Sequence, residues 1–534
     1  MMINGETMST IKWLSYPRPQ LRRNSYISLN GEWTLDGQKI QVPFAPQSRL
    51  SEFNGEVGEH LTYIRKFAYS PEFSFEKGSR AILHFGAVDE VCDVYVNDVH
   101  VGKHEGGYLH FSFDITDALI KDALNVLRVE VTDTLSSVYP YGKQCKKRGG
   151  MWYTPISGIW QTVWMEAVPE RYIEELKLTP SMKDIEITVK GNVDGFKATV
   201  LDEGKIVAEQ IFTENTGKIV IPNPILWDTE NPHLYDLKIE AGQDKVESYF
   251  ALRTVEIKKK DGVNRICLND KPIFMHGLLD QGYYEDGIYL PEDEEEFTKD
   301  ILRMKELGFN MLRKHIKIEP EKFYYECDRL GMLVLQDMVN NGGYNYILDT
   351  VLPTFGFKKR NDCKGRYQDA ECKKVFEWHM KDTLHDLYNH PCIIGYTIFN
   401  EGWGQFESDR MYDIAKSIDN TRFYDATSGW FAQKKNDFDS RHVYFKVISL
   451  KVENRPLFMS ECGGYSMVVK GHHYSKNKEY GYGACENSKE LTDKILYMYE
   501  NMIVPSITDG LCGCVYTQLS DVEEEVNGLY TYDR

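Results

Sequence analysis

The stretch HPCIIGYTIFNEGW, His390–Trp403, decides how the chain is read. Ile394–Phe399 is an apolar run of strand length, and Asn400-Glu401 follows it without a turn residue between. A carboxylate directly behind a buried strand lands at the rim of a sheet, in a partly desolvated place. Outward from this stretch the same unit recurs. Ile273–Leu279, Met311–His315, Leu333–Met338, Phe423–Thr427, His442–Phe445, Leu457–Ser460 and Cys512–Leu519 read as further strands, making eight. Amphipathic segments lie between most of them. One is Glu294–Leu307, EEEFTKDILRMKEL, whose acidic first turn complements the positive end of a helix dipole. Eight strand–helix units over 259–534 predict a (β/α)8 barrel, an architecture of about 250 residues. A doubly wound sheet would need a glycine-rich phosphate loop after its first strand, and HGLLDQGYYEDG, His276–Gly287, is not one.

The rhythm before Lys260 is different. Residues 1–170 carry short alternating strands, among them Ala81–Phe85, Val91–Asn97 and Asn125–Val131, with Asn97-Asp98 as a tight hairpin turn. No helix-period stretch interrupts them, which predicts a jelly-roll β-sandwich. Residues 171–258 are again all β, a length that suits a seven-strand immunoglobulin-like sandwich.

Composition excludes several classes. The 534 residues are 42% hydrophobic, 27% charged and 13% aromatic, ordinary values for folded domains. A net charge of −18 repels nucleic acid and anionic membranes, and no apolar run is long enough to span a bilayer. The opening residues, MMINGETMSTIKWLSYPRPQLRR, lack the order of a signal peptide. Eleven cysteines with no CxxC pair read as reduced structural thiols, hence an expected cytoplasmic location. Cys512 and Cys514 share a strand face, too little for a metal site, and the adjacent His472-His473 are poorly placed to share one ion. Ser157 lacks the GxSxG elbow and no phosphate-binding loop occurs. No metal and no cofactor is expected.

In a barrel the chemistry sits at the carboxyl ends of the strands. Those ends hold Asp280, Arg313, His315, Asp337, Asn400, Glu401, His442, Tyr444 and Glu461. Glu401 and Glu461 stand out, each following an apolar strand, the fourth and the seventh. Two such acids facing each other across the mouth are what glycoside cleavage requires, one to protonate the leaving oxygen and one to attack or to activate water. Glu523-Glu524-Glu525, after the eighth strand, reads as a solvated loop near that mouth.

At these residues the sequence resembles glycoside hydrolase family 2, the family of β-galactosidases, β-glucuronidases and β-mannosidases. LNGEW at Leu29–Trp33, the segment Phe85–Thr116 and GGMWYTPISGIWQTVWME at Gly149–Glu166 are similar to its sugar-binding sandwich. LNDKPIFMHGLL at Leu268–Leu279 opens the barrel as the family does, and PLFMSECGG at Pro456–Gly464 resembles its nucleophile segment. The resemblance implies a retaining exo-β-glycosidase with Glu401 as acid/base, Glu461 as nucleophile, Asn400 as the neighbour that grips the sugar 2-hydroxyl, and Arg313, His315, Asp280, Tyr444 and His442 as further substrate-site residues. Arg313 is placed to keep Glu461 ionised and Tyr444 to donate a hydrogen bond to it. The carboxyls should lie about 5–5.5 Å apart, with their proton affinities pushed in opposite directions. The segment RKHIKIEP, Arg313–Pro320, departs from the family's Arg-x-Ser-His-Tyr-Pro, and the chain ends at Arg534 where family members continue.

The resemblance also bears on the sugar. Glucuronidases of the family carry Asn-x-Lys after the eighth strand, where this chain has Glu525-Val526-Asn527; Asn487-Ser488-Lys489 reads as a helix cap instead. Acidic residues there would repel a glucuronate, so a β-galactoside is the expected substrate, with a glucuronide, mannoside or arabinoside as alternatives. The partners expected are a small carbohydrate or glycoside and, as an option, further copies of the chain. A carbohydrate-binding protein with a dead barrel is the alternative of another class, and the presence of both glutamates argues against it.

Overall fold

The computed structural model describes residues 12–69, 78–363, 365, 368–452, 454–474 and 479–534, with the backbone of two short strands, Met2–Ile3 and Glu6–Thr7. The rest of the opening segment, where no signal peptide was read, lies outside the described residues up to position 11.

The first unit is a sandwich of antiparallel sheets. Its six-stranded sheet runs in the order Val99–Glu105, Val91–Val96, Leu124–Thr132, His60–Ala68, Gly31–Leu35, Gln38–Val42. The facing sheet is Phe111–Asp114, Arg80–Phe85, Val163–Val168, Ile27–Ser28. Alternate residues such as Leu61, Tyr63 and Phe67 point into a core with Trp33, Leu83, Phe85 and Val94. The turn Asn97-Asp98 has φ of 49° and 64°, both left-handed, which is the twist a two-residue hairpin between Val91–Val96 and Val99–Glu105 requires. The second unit packs three strands (Ile173–Pro180, Asp184–Gly191, Thr216–Val220) on four (Lys205–Phe212, Phe196–Asp202, Tyr235–Ala241, Asp244–Phe250), seven in all.

A small antiparallel meander, Val255–Lys260, Val263–Leu268 and Lys271–Pro272, leads into the barrel. The eight barrel strands are β1 (Met275–Asp280), β2 (Met311–Lys314), β3 (Leu333–Asp337), β4 (Ile393–Asn400), β5 (Phe423–Ser428), β6 (Asp439–Val443), β7 (Leu457–Gly463) and β8 (Leu511–Thr517). All eight expected strands are present with ends shifted by a few residues, and the expected helix runs Glu295–Glu306. β4 is buried at every residue, because helices cover its outside and the other strands its inside. Asn487 caps the helix Ser488–Met498, its side chain accepting from Glu490 N–H at 3.0 Å.

The strand ladder is continuous from β5 through β4, β3, β2, β1, β8 and β7 to β6, and stops between β5 and β6. Side chains close that seam. Ser440 Oγ donates to Asp425 at 2.7 Å and lies 3.4 Å from Ser428 Oγ, which in turn lies 2.9 Å from His442 Nε2. The barrel is thus clasped on one side by hydroxyls, a carboxylate and an imidazole that reaches the mouth.

Candidate active site

Glu401 sits in a left-handed turn, φ 52°, immediately after β4. That conformation is strained for a residue with a Cβ and persists only where neighbours hold it. Here the Glu401 N–H donates to Ser428 O at 3.1 Å, Trp430 Nε1 donates to Glu401 O at 2.8 Å, and Arg360 donates to Gly402 O at 2.6 Å. The turn aims the carboxyl inward instead of along the next helix.

Glu461, within β7, is its counterpart. One oxygen of each carboxyl and one nitrogen of His442 all lie within 4.8 Å of one another. His442 Nδ1 is 2.8 Å from Glu401 Oε1 and 3.4 Å from Glu461 Oε2. Burial pulls the His442 imidazole down to about 4, so it is neutral near pH 7. The Arg313 guanidinium, which can only donate, lies 3.4 Å from Nε2. Nε2 therefore accepts, and Nδ1 carries the hydrogen that faces the two acids.

Arg313, fully buried at the barrel centre, ties the floor together. Nε donates to Asp337 at 2.9 Å, Nη1 to Glu461 at 3.1 Å and to Ser460 O at 3.0 Å, and Nη2 to Asn400 Oδ1 at 2.8 Å. Asn400 thus spends its carbonyl on Arg313 and keeps its amide hydrogens for a ligand. Tyr444 donates to Glu461 Oε2 and stacks on Tyr482, ring centres 4.1 Å apart. His315 pairs with Asp337 at 2.8 Å and is held neutral by burial, down to about 3. Asp337 stays ionised: burial raises its proton affinity, but Arg313 and His315 together outweigh burial and leave it below the usual range.

The two glutamates do not diverge as the sequence reading expected. Burial raises both. Glu401 reaches about 7, opposed by the charges of Lys143, Arg313 and Lys358. Glu461 is also raised by burial and by Glu401, while His442, Arg313 and the Tyr444 hydroxyl favour its ionised form. The asymmetry comes from hydrogen bonds: Glu461 accepts from Arg313 and Tyr444, whereas Glu401 faces His442 alone. Replacing Arg313 with Ala should therefore raise the proton affinity of Glu461 and shift the acidic limb of the kcat/KM profile to higher pH. Lys at this position should restore it only in part, since an ammonium lacks the planar fork that serves Asp337, Glu461 and Asn400 together. An unmoved limb in a folded variant would leave Arg313 a purely structural role.

Asp280 is the expected site residue that the structure turns elsewhere. Its carboxylate takes Lys314 Nζ at 2.6 Å and Gly282 N–H at 2.8 Å, in a buried ionic cluster with Glu319 and Lys317. Strand alternation sends Asp280 to the helix side of β1 and its neighbour to the other. The next residue, Gln281, is buried with both side-chain polar atoms unpartnered among the described residues.

The acidic loop after β8 is not solvated. Glu523 and Glu525 are buried, and each is held by the N-terminal sandwich: Thr154 N–H donates to Glu523 at 2.9 Å and Tyr153 to Glu525, which also accepts from Asn527 of its own loop. The same sandwich loop forms one wall of the mouth. Trp152 stacks on Trp403, two residues past Glu401, at 5.4 Å, with Tyr344 edge-on to both. These wall residues, with Lys143 and Tyr482, were missed by strand-end reading because none is at a strand end. GGMW in the sandwich signature was the available signal.

Glu401, His442 and Glu461 are also the one donor set among the described residues compact enough for a divalent cation. Arg313 beside Glu461 already supplies positive charge there, and we assign no metal. His472 and His473 bond instead to Asp533 and Val469 O, away from one another.

Family profiles match residues 35–158 (glycosyl hydrolase 2 galactose-binding domain-like), 173–253 (glycosyl hydrolases family 2) and 255–503 (glycosyl hydrolases family 2, TIM barrel domain). The chain belongs to glycoside hydrolase family 2. Among its family 2 relatives are a putative beta-glucuronidase of Formosa agariphila, 28% identical over 440 residues, 72% of this chain and 48% of that protein, and a beta-galactosidase of Thermoanaerobacter pseudethanolicus, 26% identical over 373 residues, 65% and 46%. The chain spans about half the length of these relatives. The solved beta-D-glucuronidase of Dictyoglomus thermophilum shares the fold with a TM-score of 0.75 at 17% identity, over 97% of this chain and 96% of that one.

Proposed function

We propose that this family 2 chain is a retaining exo-β-glycosidase. The observation that carries the reading is the approach of Glu401 and Glu461 to within 4.8 Å. Inverting enzymes hold their carboxyls about 6.5–9.5 Å apart to admit a water, and retaining ones about 5–5.5 Å. Glu461, whose ionised form Arg313 and Tyr444 favour, attacks the anomeric carbon. Glu401, protonated below about 7, gives its proton to the departing oxygen. With the aglycone gone, Glu401 takes a proton from water as that water displaces Glu461. Asn400 holds the 2-hydroxyl through its free amide hydrogens. The wall of Trp152, Tyr344 and Trp403 closes one side, which favours a single terminal sugar.

Two glycones are named among the relatives. A galactoside is favoured by Asn527, an amide in the position where a glucuronate clamp would need a cation. Repulsion by Glu525 no longer supports it, because that carboxylate is engaged by Tyr153 and Asn527. An acidic glycone is favoured by Lys143. The eleven free cysteines fit a reducing compartment such as the cytoplasm, and we keep that as the proposed location.

A panel of 4-nitrophenyl β-glycosides (galactoside, glucuronide, mannoside, arabinoside) tests the activity, with product anomers followed by NMR. Turnover of at least one with the β-anomer formed first is the expected result. An inert panel, or an inverted product, would overturn the reading.

A further inference from the structure

Lys143 comes from the N-terminal sandwich, in the loop that follows Leu124–Thr132, and is only 7% exposed. Its Nζ stands 5.6 Å from the ring centres of both Tyr153 and Trp403. It exerts the largest cationic influence on Glu401 and is felt by His315. The ammonium therefore lies on the mouth wall beside the acid/base group, near the place where Tyr153 meets Glu525.

Among the described residues it makes no salt bridge and no hydrogen bond, although carboxylates surround the site. Each of them is taken. Glu525 serves Tyr153 and Asn527, Glu523 serves Thr154, and Asp337 serves Arg313 and His315. Glu461 is held by Arg313 and Tyr444, and Glu401 must carry a proton to act. Two ring faces attract the ammonium but cannot replace a counter-ion once a ligand has expelled the water. Of the other two cations near Glu401, Arg313 is engaged by Asp337, Glu461 and Asn400, and Lys358 stands at the exposed surface over the ring of Trp430.

We propose that Lys143 is the specificity-determining residue of the sugar pocket and that it holds a carboxylate on the glycone, making the substrate a β-uronide. The proposal rests on the glycosidase reading above. It explains how an acid could be recognised although the loop after β8 offers only the engaged amide of Asn527: the cation enters from another domain. A charged pair in this closed pocket distinguishes an acid from its neutral ester far better than an exposed one would.

The test compares 4-nitrophenyl β-D-glucuronide, its methyl ester and the β-D-galactoside on the native chain, Lys143→Met and Lys143→Arg. The native chain should prefer the free acid. In Lys143→Met the acid-to-ester ratio of kcat/KM should fall about a hundredfold, and Lys143→Arg should recover part of it. An equal loss on acid and ester would overturn the proposal and make Lys143 a residue that acts through Glu401. So would a native preference for the galactoside, which leaves the glycosidase reading standing. If no glycoside is cleaved, the glycosidase reading falls, and calorimetry with D-glucuronate and D-galactose still decides this one: glucuronate binding lost in Lys143→Met supports it, and equal or absent glucuronate binding in the native chain refutes it.

Discussion

Glu461→Gln should lose kcat by roughly 10⁴- to 10⁶-fold on every glycoside, whatever its leaving group. The amide is nearly isosteric, and Arg313 and Tyr444 still surround it, so the loss reports chemistry more than folding. No leaving group bypasses the step, since the retaining route passes through a bond from the nucleophile to the anomeric carbon. A 2-deoxy-2-fluoro glycosyl fluoride should label Glu461 in the native chain, and peptide mapping reads the site. Label on Glu401, or a Glu461→Gln variant that keeps substantial turnover, would reverse the assignment of the two acids.

Glu401→Ala should give a loss that depends on the leaving group. Alkyl glycosides should slow by about 10²–10⁴-fold, while a 2,4-dinitrophenyl glycoside, whose phenolate needs no proton, should form its glycosyl-enzyme almost unimpaired. Azide should then speed turnover by replacing the water that Glu401 no longer activates. The pH profile provides a second reading. A group raised to about 7 by burial is protonated below that pH and loses its proton above it. As the acid, it makes kcat/KM of the native chain fall as pH rises through about 7. That basic limb should vanish in the variant on the activated substrate. Equal losses on both substrate types, with the limb retained, would mean that Glu401 is not the acid.

The eight strands and both glutamates were legible because parallel barrel strands are buried on two faces, so their sequences are apolar runs that stop sharply at the rim. Ile393–Asn400 and Leu457–Gly463 announce themselves in this way. Arg313 was legible by its place at a strand end. Asp280 misled because position alone does not say which way a side chain turns, and Lys314 on the next strand drew it outward. The triplet Glu523–Glu525 misled for the opposite reason. Three acids in a row look solvated, and the residues that hold the two buried ones, Thr154 and Tyr153, lie 369 and 372 positions away. The partners of the mouth wall are equally remote: Trp152 meets Trp403 across domains. No local pattern encodes such contacts.

The sandwich loop that carries Lys143, Trp152 and Tyr153 gives the molecule a division of labour. On the function proposed above, the barrel floor, with Arg313, His442 and the two glutamates, would break the bond, while a separate unit would decide what is admitted to it. On that proposal, rewriting the loop around 143–153 would exchange one sugar for another and leave β4 and β7 as they are. Two chains with interchangeable floors would then digest different glycans, and ancestry traced through the barrel would be a poor guide to diet.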